Sequence, residues 1–184
     1  MISIESAVKE YEGDLVERTL CFLLKDEKVL LGHKKTGFGK GYIVGIGGGV
    51  DDGETPIEAA IREVEEEVFI TPSDLHFVGV LDFYFPYVDN PWSWNQRVFV
   101  YRSSTWAGTA TESEEIKPEW HLVNELPFDR MWDDANYWLN DILAGNEIWA
   151  QFTFDSNLKV ERHEKQLLGS NQELIIKGMK YDTP

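Results

Sequence analysis

One stretch constrains this chain more than any other: GGGVDDGETPIEAAIREVEEEVFI, residues 47–70, in which eight of 24 residues are Asp or Glu. Thr55 can cap a helix, Pro56 suits its first turn, and Glu58 completes a capping box. Apolar side chains then recur at helical spacing and predict one buried stripe, formed by Ile57, Ala60, Ile61, Val64 and Val68. The stretch therefore predicts a glycine-rich loop that leads into an acidic, amphipathic helix.

The acidic face of this helix has two interpretations. Glu63, Glu66 and Glu67 lie at i, i+3 and i+4, where like charges cost roughly 0.2–0.5 kcal/mol per pair. A solvated surface would tolerate that repulsion. Clustered carboxylates also bind hard cations such as Mg²⁺ or Mn²⁺, which in turn hold substrate phosphates. The glycines before the helix favour the metal site, because they let a loop and a helix start converge on one ligand.

The spacing of the charged residues carries a family resemblance. From Gly48 the chain has glycine, five residues, glutamate, seven residues, Arg-Glu-Val, one residue and a pair of glutamates. This pattern resembles the Nudix box, a loop–helix–loop of enzymes that hydrolyse nucleoside diphosphates linked to another group. The resemblance implies an α/β chain of the α+β type with the Nudix fold, in which helices sandwich a mixed β-sheet.

The resemblance also implies the metal site. Glu63, Glu66 and Glu67 are the implied ligands of Mg²⁺, or alternatively Mn²⁺, and the carbonyl of Gly48 can join them. Glu115, in the segment SEEIKP, matches an acidic loop residue that reaches the same site. Any of Glu66, Glu67 and Glu115 can serve as the general base.

Two further positions of the box are informative. By resemblance, Arg62 orients a carboxylate by pairing with it, and Glu54 is the expected partner. Where the family has a glycine after the helix, this chain has Phe69. A phenylalanine is strained wherever φ is positive, so the exit of the helix is expected to differ.

Longer segments narrow the resemblance to one group. LLGHKKTGFGKG, ESEEIKPEW and LPFDRMWDDANYW are similar to segments of the MutT-homologue group, which hydrolyses oxidised purine nucleotides such as 8-oxo-dGTP. The similarity spans 19–164 of one expected domain, 1–184, and leaves out an N-terminal extension, 1–18, and a C-terminal tail, 166–184. The implied substrate-binding residues are Thr19, Lys34, Phe38, Val44, Phe83, Trp132, Asp133 and Asp134.

These residues divide between phosphate and base. Lys34 matches a basic residue near the phosphates, and Trp132 with a following aspartate suits stacking and edge recognition of an isolated base. The relatives pair two aspartates after the tryptophan. An ungapped match gives Asp134 and then Ala135 here, and a shift of one residue gives Asp133 and Asp134. Plain core packing explains a phenylalanine such as Phe83 equally well.

One departure bears on specificity. Val44 stands where the relatives have a base-reading asparagine, so hydrogen bonds to the purine edge are lost at that position. A site built on such bonds discriminates strongly between bases, and a site without them discriminates much less.

The implied function is metal-assisted hydrolysis of a nucleoside triphosphate to the monophosphate and pyrophosphate. Two alternatives remain open. One is a Nudix hydrolase that acts on a dinucleoside polyphosphate or ADP-ribose. The other is a module that senses a nucleotide without cleaving it, against which the intact carboxylates argue.

Composition excludes some other classes of function. The net charge of −16 opposes binding to a nucleic acid duplex, so the expected partner is a small-molecule nucleotide. No segment approaches the roughly 18 consecutive apolar residues of a membrane span. The first residues have no basic start followed by an apolar run, and the single Cys21 cannot form a disulfide within the chain, so we expect a cytoplasmic location.

The remaining patterns predict a mixed sheet with a second helix. The predicted strands are 19–25 and 29–35, joined by a turn at 26–28, then 74–85, 94–102, 120–127, 148–154 and 158–164. The helix is expected in DDANYWLNDILAG, with Asp133 or Asp134 near its start and Gly145 past its end.

Overall fold

A mixed sheet of eight strands organises the chain. The computed structural model describes residues 4–11, 15–168, 175–176 and 179–180. The strands are β1 Val16–Lys25, β2 Lys28–Lys34, β3 Ile43–Val44, β4 Ile70–Ser73, β5 His76–Tyr84, β6 Gln96–Ser103, β7 Thr105–Gly108, β8 Ile116–Leu122, β9 Glu147–Phe154, β10 Val160–Leu168, β11 Ile175–Ile176 and β12 Met179–Lys180. The helices are α1 Ile4–Tyr11, α2 Pro56–Val68, α3 Pro91–Trp94 and α4 Ala135–Ala144, with a 3-10 turn at Phe128–Arg130.

The strand order is β10-β9-β5-β6-β1-β2-β3, and β8 also pairs with β2. Strand β1 runs parallel to β6, β5 runs parallel to β9, and the other pairs of this sheet are antiparallel. Strands β4 and β7 form a separate antiparallel pair. The predicted mixed sheet is therefore confirmed.

The two faces of the sheet bury different helices. Phe22 of β1 lies in the same apolar cluster as Trp138 and Ile142 of α4. Its neighbours on the strand point the other way, and Leu23 packs in a second cluster with Val64 of α2. Because side chains of a strand alternate between faces, one strand anchors both helices.

Helix α2 begins as its sequence predicts, whereas the altered exit expected from Phe69 is not seen. The hydroxyl of Thr55 accepts a hydrogen bond from the N–H of Glu58, and the carboxylate of Glu58 accepts one from the N–H of Thr55, so the predicted capping box is confirmed. Phe69 ends the helix at φ 59° and ψ 34°, and its N–H donates to the carbonyl of Glu65. The phenylalanine thus adopts the left-handed conformation that favours glycine, and the departure in sequence does not abolish this turn.

Helix α4 also matches its prediction. It begins at Ala135, directly after Asp134, and ends at Gly145, which has φ 91°. The hairpin of β1 and β2 turns at Asp26 and Glu27, both with positive φ, as the predicted turn at 26–28 requires.

The predicted strand 120–127 is wrong in its bounds. Strand β8 runs from Ile116 to Leu122, where its partner β2 begins at Lys28, so no pairing partner remains for the residues that follow. Pro118 and charged neighbours hid the first half of the strand, and a proline is tolerated there because β8 pairs on one side with β2.

The ends of the chain also differ from expectation. The extension 1–18 contains α1, whose Ala7 is fully buried, and β1 begins at Val16. Strand β10 continues to Leu168, past the expected start of the tail; the short strands β11 and β12 are the only later residues that the structure describes. Within the described residues, no helix combines the length and apolarity needed to cross a membrane.

Candidate active site

The glycine-rich loop is held against β1. The N–H of Thr19 donates to the carbonyl of Gly48 at 2.8 Å, and the N–H of Cys21 donates to the carbonyl of Ile46 at 2.7 Å. A Cβ at Gly47 would lie 2.2 Å from the carbonyl oxygen of Thr19. Glycine is therefore required at this close approach of two backbones.

Gly48 also has to be a glycine, because it lies against a side chain of α2. A Cβ at Gly48 would lie 2.5 Å from the carboxylate carbon of Glu63. The carboxylate thus rests directly on the backbone of the loop, which is how a loop and a helix come to share one site.

Arg62 holds the acidic face of α2 together. Its Nε and Nη2 donate to the two carboxylate oxygens of Glu54 at 2.9 and 2.8 Å, and its Nη1 donates to Glu63 at 2.9 Å and to Glu66 at 3.3 Å. The hydrogen bonds with Glu54 raise the pKa of Arg62, and Arg62 in turn lowers the pKa of Glu54. The expected pairing of Arg62 with Glu54 is present, and the arginine stays charged.

Glu67 faces a lysine across the site. Lys34 Nζ donates to Glu67 at 2.7 Å and to Glu115 at 3.4 Å, and the N–H of Gly47 donates to Glu67 at 3.1 Å. Only 4% of Glu67 is exposed, and burial raises its pKa against the opposing effect of Lys34. Burial lowers the pKa of Lys34, but its hydrogen bonds and charge interactions with Glu67 and Glu115 together outweigh that effect and raise it.

These carboxylates border a groove of about 680 Å³. It is lined by Lys35, Glu63, Glu66, Glu67, Phe69, Glu112, Ser113, Glu114 and Glu115. All four glutamates predicted as metal ligands therefore line one groove, although Glu115 lies 48 residues after Glu67 in the chain. Lys35 balances part of this charge, since its Nζ donates to Glu112 at 2.8 Å.

A second cavity, of about 440 Å³, adjoins the groove. Aromatic and aliphatic residues line most of it, namely Leu20, Phe22, Phe38, Ile43, Val44, Phe83, Phe85, Val98, Met131, Trp132, Ala135, Trp138 and Phe154. Glu63, Glu66 and Glu115 line both spaces. An apolar chamber thus opens directly onto the acidic groove.

Most residues predicted to bind the substrate lie in the wall of this chamber. Thr19, Lys34, Phe38, Val44, Phe83, Trp132 and Asp134 are all among its lining residues. Phe83 is also part of the core, because it is 6% exposed and stacks on Phe152 at 5.4 Å between ring centroids. Phe83 therefore packs in the core and also lines the chamber.

Trp132 is already stacked on two rings. Phe38 stacks on it at 5.4 Å with the planes 9° apart, and Tyr42 at 4.6 Å with the planes 17° apart. Tyr42 is not among the residues that line the chamber. The loop between β2 and β3 therefore fixes the plane of the indole.

The structure separates the two candidate aspartates. Asp134 is 5% exposed and lines the chamber, and its carboxylate accepts a hydrogen bond from Trp138 Nε1 at 2.7 Å. Asp133 lies outside the chamber wall, where it accepts hydrogen bonds from Lys159 Nζ at 3.0 Å and from the N–H of Val160 at 2.9 Å. Asp133 thus ties the start of α4 to β10, and Asp134 is the one that lines the chamber.

Comparison with known proteins identifies the family. The family model described as NUDIX domain matches residues 15–142. The chain belongs to the Nudix family. It is an enzyme of the hydrolase type. The oxidized purine nucleoside triphosphate hydrolase of Mus musculus is 38% identical over 136 residues, which cover 74% of this chain and 85% of that protein. The protein of the same name from Danio rerio is 34% identical over 146 residues, which cover 79% of this chain and 91% of that protein.

A solved structure supports the Nudix fold independently. The crystal structure of a MutT protein from Bacillus halodurans is similar with a TM-score of 0.69 at 20% identity, covering 82% of this chain and 97% of that one. The likeness at this identity concerns the fold, which confirms the predicted Nudix architecture.

Nudix hydrolases generally use divalent metal ions, and the donors at the groove suit one. They are carboxylate oxygens, which hard cations prefer, beside a glycine whose missing side chain leaves room for Glu63. As placed, the carboxylates bond to Arg62 and Lys34, and in the described part of the chain no three Asp, Glu, His or Cys side chains gather around one point. The chemistry of the donor set therefore fits a metal that would take these oxygens from the two cations.

Two polar residues that line the chamber were not predicted from the sequence. Arg18 and Gln96 both line it, from the neighbouring strands β1 and β6. Alternation along β1 was a usable signal for Arg18, because Arg18, Leu20 and Phe22 lie at i, i+2 and i+4 and all reach the chamber. Gln96 had no such signal, because its position depends on the parallel pairing of two distant strands.

Proposed function

We propose that this protein hydrolyses a purine nucleoside triphosphate to the monophosphate and pyrophosphate, with Mg²⁺ as its cofactor. An oxidised purine nucleotide such as 8-oxo-dGTP is the proposed substrate. Two relatives that carry the name of oxidized purine nucleoside triphosphate hydrolase support the substrate class.

The single observation that carries the proposal is the junction of the two spaces. Glu63, Glu66 and Glu115 line both the aromatic chamber and the acidic groove. A nucleotide has the same two-part chemistry, with a flat apolar base at one end and a polyanion at the other. A base in the chamber would therefore leave its phosphates at the carboxylates.

The chamber suits a purine in size and in lining. Its volume of about 440 Å³ lies within the usual range for ligand pockets. Trp132 lines the chamber with its ring held by Phe38 and Tyr42, and Asp134 offers a carboxyl group for the edge of the base. The buried hydroxyl of Thr19 has no hydrogen-bond partner in the described residues, so it too can serve a ligand.

The groove suits the phosphate chain once a cation is bound. Glu63, Glu66 and Glu67, with Glu115 and the carbonyl of Gly48, are the residues we propose to hold it. A bound Mg²⁺ would supply positive charge to the phosphate oxygens and acidify a water molecule. Arg62 keeps Glu63 and Glu66 in place through its hydrogen bonds.

The remaining step is proton transfer. The attacking water forms a bond to phosphorus, the bond to the leaving phosphate oxygen breaks, and a carboxylate takes the proton of the water. Glu66, Glu67 and Glu115 all border the groove and are the proposed bases.

The test is a hydrolysis screen with and without Mg²⁺. The panel contains 8-oxo-dGTP, dGTP, dATP, a dinucleoside polyphosphate and ADP-ribose, and the products are resolved by chromatography. We expect Mg²⁺-dependent release of pyrophosphate and a monophosphate from the purine triphosphates. Release of inorganic phosphate instead, or turnover of ADP-ribose or the dinucleotide alone, would contradict the proposed substrate.

A variant separates hydrolysis from binding. Glu67→Gln should bind the same nucleotide without releasing pyrophosphate, and the exposed Glu65→Gln on the same helix is the matched control. A wild-type protein that binds a nucleotide and hydrolyses nothing on the panel would instead be a sensing module.

A further inference from the structure

We propose that Arg18 is a substrate-binding residue whose guanidinium contacts the phosphate nearest the sugar of the nucleotide. The inference rests on the proposed function and adds a residue to it. It assigns a role to one of the two cationic side chains that line the chamber, the other being Lys34.

Arg18 is placed by two backbone pairings. Its Cα pairs with Val98 of β6, and it forms an isolated antiparallel bridge with Gly49. Its half-buried side chain lines the chamber on the same side of β1 as Leu20 and Phe22. The backbone therefore holds the residue directly beside the glycine-rich loop that borders the carboxylates.

The guanidinium lies between the two halves of the site. Its Cζ is 5.8 Å from the ring centroid of Phe38, at the distance of a cation–π contact. Phe38 in turn stacks on Trp132 in the chamber. Burial lowers the pKa of Arg18, and the negative charge of Glu63, at the groove, opposes that effect. A group bound against Arg18 would sit where base and phosphates meet.

One donor of Arg18 lacks an acceptor. Its Nε is buried, and no described residue accepts a hydrogen bond from it. A buried donor without a partner costs free energy, so an acceptor supplied by a ligand would be favourable. Arginine stays charged, and its fork of donors matches the oxygens of a phosphate.

The neighbouring charges do not already use this donor. Glu63 is bonded to Arg62 at 2.9 Å. Lys34, the other cation of the chamber wall, is bonded to Glu67 at 2.7 Å. Arg18 therefore differs from Arg62 and Lys34, because its buried Nε–H has no acceptor among the described residues.

The experiment compares one ligand with and without its phosphate. Binding of 8-oxo-dGMP and of 8-oxo-deoxyguanosine is measured by calorimetry or by quenching of tryptophan fluorescence. A chelator is present, so that no divalent metal takes part in binding or hydrolysis. Arg18→Gln should weaken binding of the monophosphate by about tenfold or more, the loss expected for a charge-assisted hydrogen bond. Binding of the nucleoside should change by less than about twofold on the same reasoning.

Two further variants protect the test. Arg18→Met keeps an unbranched apolar stem on Phe38 and should show the same pattern. Arg18→Lys keeps a charge beside Glu63, and because it lacks the fork it should still bind the monophosphate at least about threefold less tightly. Arg102→Gln is the matched control, a half-buried arginine outside the chamber, and should change neither affinity.

Each outcome decides the inference. Equal losses for nucleoside and monophosphate, or unchanged affinity for both in any folded Arg18 variant, would overturn it and leave the proposed function standing. A wild-type protein that binds neither ligand and hydrolyses no purine triphosphate would overturn the proposed function, and the role of Arg18 with it.

Discussion

Asp134 accepts a hydrogen bond from the indole Nε1 of Trp138, one turn further along α4, at 2.7 Å. The carboxyl group is 5% exposed in the wall of the aromatic chamber. Burial raises its pKa from 3.8 to about 6, against the hydrogen bond from Trp138, which lowers it. Folding thus favours the protonated form of Asp134, and the indole limits that preference.

The first prediction follows from the sign of this shift. A carboxyl group whose pKa is higher in the folded state stabilises the fold fully below pH 3.8, and this contribution is lost as pH rises through about 6. The free energy of unfolding of the wild type, minus that of Asp134→Asn, should therefore fall by up to roughly 3 kcal/mol between pH 4 and pH 7. Urea denaturation at each pH measures it.

A neighbouring carboxylate provides the control. Asp133→Asn removes an acid that lies outside the chamber and pairs with Lys159. Because this variant keeps Asp134, the contribution of Asp134 to the free energy of unfolding should still increase toward low pH. A difference between wild type and Asp134→Asn that stays constant with pH would show that Asp134 is not desolvated.

The second prediction concerns Glu67. Glu67→Gln should keep the fold, because the amide is nearly isosteric with the carboxylate and its oxygen can still accept from either Lys34 or the N–H of Gly47. It should reduce hydrolysis by on the order of a hundredfold or more, since a neutral amide neither neutralises a cation nor accepts a proton. Steady-state turnover with Mg²⁺ measures the effect, and Glu65→Gln should retain full activity. A wild-type rate in Glu67→Gln would remove Glu67 from the site.

Local signals account for what the sequence predicted well. The capping box of Thr55 and Glu58, the glycine stop at Gly145 and the spacing of the box each depend on residues a few positions apart. The order and pairing of distant strands have no such signal. That is why the bounds of β8 and the pair β4–β7 were missed.

The site divides in the same way. Glu63, Glu66, Glu67 and Arg62 lie on one helix, so their spacing in the sequence is enough to place them together. Arg18 and Gln96 line the same chamber as Trp132 only because β1 and β6 pair in parallel. The choice between Asp133 and Asp134 depended on where α4 begins. A sequence defines the start of a helix only to within about one or two residues.

The third prediction tests the exit of α2. Phe69 has φ 59° and is 57% exposed, so it carries left-handed strain without much burial to offset it. Phe69→Gly should raise the free energy of unfolding by about 1 kcal/mol, because glycine adopts this conformation at no steric cost. Phe69→Ala removes the ring but keeps the Cβ, so it should give no such gain. Equal stability of the glycine and alanine variants would contradict the strain.

The fourth prediction concerns the metal. Ten millimolar Mg²⁺ should raise the melting temperature above that in chelator by about 3 °C, if it is present at roughly ten times its Kd. The cation must displace Arg62 and Lys34 from carboxylates that repel one another. The double variant Glu63→Gln/Glu66→Gln should lose the shift, and NaCl of equal ionic strength should not reproduce it. An unchanged melting temperature would indicate that no preformed metal site exists.

The last prediction concerns Val44, which lines the chamber and cannot form a side-chain hydrogen bond. Edge recognition of the base then falls to Asp134, with Thr19 and Gln96 on the facing strands. We therefore expect the wild type to discriminate poorly between 8-oxo-dGTP and dGTP. Val44→Asn should raise the ratio of their kcat/KM values about fivefold, the effect of one hydrogen bond of roughly 1 kcal/mol.

Val44→Ala is the control that separates the effect of an added amide from the effect of a changed side-chain volume. It shortens the same side chain without adding a donor or acceptor, so the ratio should stay at its wild-type value or fall. The decisive number is the wild-type ratio itself. If it is already on the order of a thousand, the discrimination expected of a site built on hydrogen bonds, then the chamber reads the oxidised base without an amide at position 44. The loss of asparagine there would in that case have no bearing on specificity.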